Sequence, residues 1–172
     1  DIILDYHETR KNITAEGRRS KLQFLFKPMR DDVKMKRFIE SLIIQGIQVT
    51  RSTGEFTVGT ALDPEGKTHS SMQFPSGTYI VSTAQPHGAL AKAVLEFDPR
   101  LKLDFLKEER REMEKYGETR MYEVSSWSVP LAYNLDAYHT TSSFSVNAEP
   151  VTEVVLSGGQ LHNPGAPYGF VI

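Results

Sequence analysis

The sequence predicts an α/β domain with a mostly parallel sheet and flanking helices, packed in the doubly wound manner. Three observations predict it. The stretch Phe74–Phe97, FPSGTYIVSTAQPHGALAKAVLEF, reads as a turn, a buried strand, a second turn and a helix, the unit from which an α/β layer is built. Residues 21–51 read as strand, helix and strand in about thirty residues, the length of a right-handed parallel crossover. The chain has 172 residues, 39% hydrophobic and 24% charged, which suits one domain with a sizeable core.

In chain order, Ile3, Tyr6 and Ile13 fall at loose helical spacing before a basic break, so residues 1–20 are expected as a connecting helix. Lys21–Lys27 alternates and then runs apolar, a buried strand that Pro28 ends. Asp31 or Asp32 is the expected cap of the next helix, where a carboxylate accepts from free N–H groups and suits the positive end of the dipole. Met35, Phe38, Ile39, Leu42 and Ile43 recur at i, i+3, i+4, i+7 and i+8, one apolar face of that helix. Gly46 stops it, Ile47–Arg51 returns as a strand, and Phe56–Val58 is a short one. Thr60–Gln73 is polar with Pro64 and Gly66, a surface loop or hairpin tip.

Pro75 and Gly77 make a turn into the β-branched strand Thr78–Thr83, which Gln85-Pro86 ends. Leu90, Val94 and Phe97 then repeat near helical spacing among alanines that permit close packing. Leu101–Tyr116 carries a narrow apolar stripe among charges paired at helical spacing, Asp104 with Lys107, Glu108 with Arg111 and Arg110 with Glu114. Each pair contributes only ~0.2–0.5 kcal/mol, which supports a helix without defining a site. Gly117 is its stop. Met121–Tyr138, with the single tryptophan Trp127 and with Val129, Leu131, Tyr133 and Leu135, has the apolar mass of a core segment. Val151–Leu156 is expected as a strand, and a Gly/Pro loop leads into the apolar Tyr168–Ile172.

A net charge of −2 gives no electrostatic reason for a nucleic acid or anionic membrane partner. Aromatic residues are not interleaved with Lys or Arg, as a nucleic-acid platform requires. No apolar run approaches the ~20 residues of a membrane span. Without cysteine there are no disulfides or thiolate metal sites, and the redox compartment is left open.

The pattern F-P-S-G-T-Y-I-V, then Q-P, then an alanine-rich helix ending L-E, resembles the region after the catalytic domain in large bacterial zinc carboxypeptidase-like proteins, of the carboxypeptidase A-like metallopeptidase family. QGIQVTRSTGEFTV at 45–58 and MYEVSSWSVPLAYNLDAY at 121–138 agree with it. The resemblance implies a non-catalytic accessory domain over residues 21–172, doubly wound or glutamine-amidotransferase-like, continuing beyond the C-terminus in a parent protein. The start at Asp1 fits an excised piece of that parent. The parent would be exported, periplasmic or secreted, hold zinc in its catalytic domain and remove C-terminal residues from peptides. The partner implied is that peptidase domain in cis, and Tyr168–Ile172, resembling the opening strand of a second α/β half, would pair with the sheet or self-associate. One departure is the charged helix at 101–116, longer than the plain ending of many relatives.

Such enzymes hold zinc with an H-x-x-E pair and a distant histidine, leaving one position open for water. Three residues after His7, His69, His87, His139 and His162 stand Arg10, Met72, Leu90, Ser142 and Gly165, so the motif is absent and no metal or catalytic role carries over. Asp136 three residues before His139 is better read as coincidence. There is no G-x-S-x-G elbow, S-x-x-K or phosphate-cradling glycine loop, and Ser157-Gly158-Gly159 reads as a turn. Three ligand-binding candidates remain. Gln85 and His87 stand at a helix N-terminus able to bind an anion, unless Gln85 and Pro86 simply cap the helix. Trp127 could line a carbohydrate or peptide groove, unless it is core. The rival function is a small-molecule or peptide-binding module using the C-terminal ends of parallel strands; an independent hydrolase is the third reading.

Overall fold

A computed structural model of the protein describes residues 2–98, 101–117 and 128–156. The most buried backbone is β1 (Gln23–Phe26), where Phe24, Leu25 and Phe26 are all at most 1% exposed. Because side chains alternate across a strand, a run buried at successive positions must be covered on both faces. It is also paired on both edges, with β5 (Tyr79–Ser82) and with β6 (Ala137–Thr140). Among the described residues the remaining strands are β2 (Val49–Ser52), β3 (Phe56–Leu62), β4 (Thr68–Phe74) and β7 (Ala148–Val151), giving a sheet of seven described strands in the order β4-β3-β6-β1-β5-β2-β7.

Every pairing in this sheet is antiparallel, which overturns the expected mostly parallel, doubly wound arrangement. The reason lies in adjacency rather than direction. β1 and β2, joined by α2 (Asp32–Ile44), do run the same way, but β5 lies between them and is antiparallel to both. Likewise β5 and β6 run the same way on either side of β1. The four central strands, β6-β1-β5-β2, are therefore two interleaved split β-α-β units.

One face of the sheet carries the helices. Met35, Phe38, Ile39 and Leu42 of α2 and Ala91 and Leu95 of α3 (Gly88–Leu95) pack with Phe24, Phe26, Val49 and Val81. Phe26 meets Phe38 edge-on at 4.9 Å, a geometry that adds about 0.5–1.5 kcal/mol to the area buried. The other face is covered by strands. Leu25 and Ile80 are covered there by Phe56, Val58, Ala61 and Phe74 of the β3–β4 hairpin, with Phe144 and Val146 packed alongside. Phe56 stacks between Phe74 at 5.3 Å and Phe144 at 5.0 Å.

The segment expected as a loop or hairpin tip at 60–73 is thus mostly strand. Its alternation is faint because the hairpin is buried on one side only and β4 is an edge. The expected strand at 151–156 is displaced to β7, since its ladder runs only from Ser52↔Ala148 to Val49↔Val151, where β2 begins. Of the expected core segment at 121–138, residues 121–127 lie outside the described residues; Leu135 is buried, whereas Leu131, on the one-turn α5 (Val129–Ala132), is 48% exposed. The expected stops and caps are present: Asp31 accepts from the Lys34 N–H at 3.0 Å, Gly77 has φ 86° in its turn, and Gly117 takes φ 68° after α4 (Leu103–Tyr116). Both outermost strands are irregular, β4 through Ser71 at φ 50° and β7 through Pro150.

The N-terminal helix α1 (Ile2–Ser20) comes close to the backbone of this body at Gly17. Gly17 is its only fully buried residue, and a Cβ there, or at Gly88 of α3, would collide with the Thr83 carbonyl. Thr83 is itself fixed by its N–H and hydroxyl, which both donate to the Leu22 carbonyl at 3.1 and 3.0 Å. Gly17→Ala sets two effects against each other: alanine favours a helix interior by roughly 0.5–1 kcal/mol, while forced overpacking costs typically 1–3 kcal/mol. Because the obstacle is backbone, overpacking wins, and urea unfolding of G17A is expected to show a net loss of stability. A gain would contradict the close approach.

Candidate functional site

Gln85, one of the three candidates, follows β5 and is 3% exposed. Its Oε1 accepts from the Gln48 N–H at 2.6 Å, and its Nε2 donates to the carbonyls of Gln48 at 3.0 Å and Ser82 at 2.7 Å. The side-chain amide thereby completes, between the end of β5 and the start of β2, the hydrogen bonds that a longer ladder would have made. His87, two residues on, occupies the N-cap position of α3 without capping it through its side chain. Its ring lies against Gly46, where an added Cβ would come within 2.9 Å of it, and its Nε2 stands 2.8 Å from an Arg10 guanidinium nitrogen. Trp127 lies outside the described residues. The structure thus places Gln85 and His87 side by side, with the amide turned to β2 and the imidazole to α1.

A concavity of about 710 Å³ opens instead where the β3–β4 turn meets the end of α3. Asp63 and Glu65 line it from the turn, Glu96 and Asp98 from the chain after α3, and His139 from β6, and among the described residues no lysine or arginine lines it. The carboxylate ring gives the cleft a negative field that attracts cationic groups. Asp63 is committed to the turn: its Oδ1 accepts from the N–H groups of Glu65 at 3.0 Å and Lys67 at 2.9 Å, and its Oδ2 pairs with His69 Nε2 at 2.8 Å. The His69 hydrogen bond, with the two backbone donors, holds its carboxyl below the usual carboxylate range against the opposing effect of burial. Among the described residues no serine or threonine hydroxyl bonds to the His69 ring, so this pair lacks the nucleophile that a catalytic dyad would activate.

His139 is wedged against Phe97, 5.3 Å between ring centres, and Phe24, 6.3 Å. Burial pushes its pKa down, while Glu96 opposes that shift. Its sequence neighbour Tyr138 faces the opposite side, among the hairpin residues, and there donates to Asp136. Burial, followed by this hydrogen bond and the charges of Asp136 and Asp63, pushes the phenol up to about 12. Asp136 and His139, paired by spacing alone, are therefore directed to different faces. Among the described residues no group of three or more His, Asp or Glu side chains is placed to hold a metal ion. The cleft went unread in the sequence because its walls come from three separate segments; Asp63-Pro64-Glu65-Gly66 signals a turn, but nothing local signals what the turn meets.

Comparison with family models, with curated proteins and with solved structures finds no match. The resemblance to the zinc carboxypeptidase-like proteins accordingly rests on the sequence blocks alone.

Two titrations follow. A histidine whose native pKa is depressed leaves the unfolded chain binding more protons in the window below about 6.5, so stability falls as pH drops from that value toward the native one. Urea midpoints measured down this range should therefore decline less in His139→Gln than in the unsubstituted protein, and an equal decline would contradict the burial of the ring. Tyr138, raised, stabilises the fold below about pH 10 and loses that contribution as pH climbs through its native value. Absorbance titration of the tyrosinates should show a last component near pH 12 that Tyr138→Phe removes.

Proposed function

We propose that this chain is a non-catalytic accessory domain of a zinc carboxypeptidase-like protein, packing on the peptidase domain and shaping access to its cleft. The resemblance of the sequence blocks at 45–58, 74–97 and 121–138 supports the family part of this reading. The structural observation that carries the packing role is the apolar surface on two outer helices. On α1, Ile2 is 83%, Ile3 73% and Leu4 61% exposed, and on α4, Leu103 is 65%, Met113 52% and Tyr116 58% exposed. Apolar side chains gathered on helix faces at the rim of a domain are the usual material of a contact with a neighbouring one. In this reading zinc and peptide hydrolysis belong to the parent's catalytic domain, and Gln85 and His87 serve the architecture of the accessory domain.

The carboxylate-lined cleft favours a second reading, a module that binds a cationic small molecule or basic peptide. The described strands pair only antiparallel, so the C-terminal ends of parallel strands lend this reading no support. A thermal-shift screen of amines and basic peptides tests it, since a ligand at ~100 times its Kd adds about 2.7 kcal/mol.

The accessory-domain reading is tested by mixing the chain with the catalytic region encoded beside it and following hydrogen exchange. Slower exchange confined to α1 and α4, together with no release of C-terminal residues from peptides by the chain alone, is expected. Unchanged exchange in both helices, or hydrolysis by the isolated chain, would overturn the proposal.

A further inference from the structure

A smaller concavity, of about 290 Å³, lies where the C-terminal end of α1 meets the end of β5 and the chain after β6. Arg18 and Lys21 line it from α1 and the turn that follows, Ser82 and Ala84 from β5 and its end, and Ser143 and Phe144 from the segment after β6. Among the described residues no carboxylate lines it. The sequence makes it so: residues 17–30, 67–95 and 137–148, which include all three lining segments, contain no Asp or Glu, in a chain whose net charge is −2. The field in this concavity is therefore positive, opposite to that of the cleft beside His139.

Its hydrogen-bonding groups are biased in the same sense. Lys21 Nζ donates to Ser143 Oγ at 3.2 Å, and the Ala84 N–H donates to Ser82 Oγ at 3.1 Å. Each serine oxygen is thus engaged as an acceptor, and each hydroxyl keeps a proton to donate. The lysine has two further N–H bonds and the Arg18 guanidinium has five, and neither group can accept. Donors carried by two cations complement an oxyanion, and a planar guanidinium matches the oxygens of a phosphate two at a time.

The backbone brings these groups together at two points. Gly17, whose missing Cβ lets α1 close on the Thr83 carbonyl, sets the adjoining Arg18 beside the end of β5. Lys21 follows α1 with φ 55°, the left-handed conformation that helix ends ordinarily give to glycine or asparagine, and its N–H reaches the Gly17 carbonyl at 2.9 Å. Glycine would suit that turn better, so the turn alone does not call for a lysine. What the lysine adds is an amine carried to Ser143, 122 residues away in the sequence.

We propose that this concavity binds a phosphate group, with Arg18 and Lys21 bracketing its charge and the Ser82 and Ser143 hydroxyls donating to its oxygens. The volume, near the lower end of the ~300–1,000 Å³ of organic ligand sites, and the bordering Phe144 ring favour a small phosphate monoester over the free ion. The site is separate from the carboxylate-lined cleft and from the apolar surfaces of the outer helices, and it depends on neither reading of the function.

The isotope-labelled protein is titrated with phenyl phosphate and with inorganic phosphate at about pH 7.5, above the second ionisation of phosphate. Saturable shifts are expected at the amides of Lys21, Ala84 and Ser143, with the phenyl ester binding more tightly, and sodium chloride at equal ionic strength should not reproduce them. Arg18→Gln and Lys21→Gln should each weaken binding about tenfold or more, as loss of a charge-assisted hydrogen bond would. Lys21→Gly separates binding from folding. It relieves the left-handed backbone, so its urea midpoint should not fall, yet its affinity should drop as far as that of K21Q. The absence of saturable shifts, equal shifts with chloride, or unchanged affinity in folded R18Q and K21G would overturn the site. Free phosphate binding as tightly as the phenyl ester would overturn the preference for a monoester.

Discussion

β1 is the constraint on which the remaining structure depends. Its four residues are hydrogen-bonded along both edges, and its three apolar side chains are buried on alternate faces. Pairing with β5 and β6 on either side decides which strands neighbour which, and the alternation decides what must cover each face. Phe24 and Phe26 require the helical layer, while Leu25 requires the hairpin. Fully burying side chains of this size is worth roughly 1.5–3 kcal/mol apiece. A one-residue slip of β1 would exchange the two sets and leave two phenylalanines under a cover shaped for one leucine.

The sequence located helices and strands better than it located neighbours. The periodic run from Met35 to Ile43 specifies α2, Asp31 caps it, and Gly46 ends it, because each of these signals acts within one turn of helix. Strand adjacency has no such local carrier. A strand, helix and strand in sequence constrain the first and last strand to a common direction, and that much holds for β1 and β2. Whether a third strand is inserted between them depends on the Tyr79–Ser82 segment some thirty residues later in the chain. The hairpin was obscured for a related reason: β4 reads Thr-His-Ser-Ser-Met-Gln-Phe, with only Phe74 fully buried, so its composition reports solvent more strongly than pairing.

The candidate residues divide in the same manner. Gln85 and His87 stand out in the sequence because they punctuate a strand–helix junction, and the structure has them bridge that junction to β2 and α1. Long-range partners such as Gln48 and Arg10 cannot be read from spacing. Nor can the cleft beside His139, whose depressed titration comes from Phe97, Phe24 and the burial around them rather than from any neighbour in the chain.

The irregular outer strands bear on how the protein behaves in crowded solution. A regular, apolar outer strand is a template onto which another chain can be added, and repetition of that step builds fibrils. Here Pro150 offers no N–H on one side, and on the other the left-handed turn of Ser71 interrupts a strand whose exposed residues are mainly polar. Among the described residues the sheet thus ends in both directions on a strand whose own chemistry resists further pairing. Growth by strand addition is discouraged at each end, so lateral recognition falls to the helical surfaces, where contacts are made by side chains and can be selective.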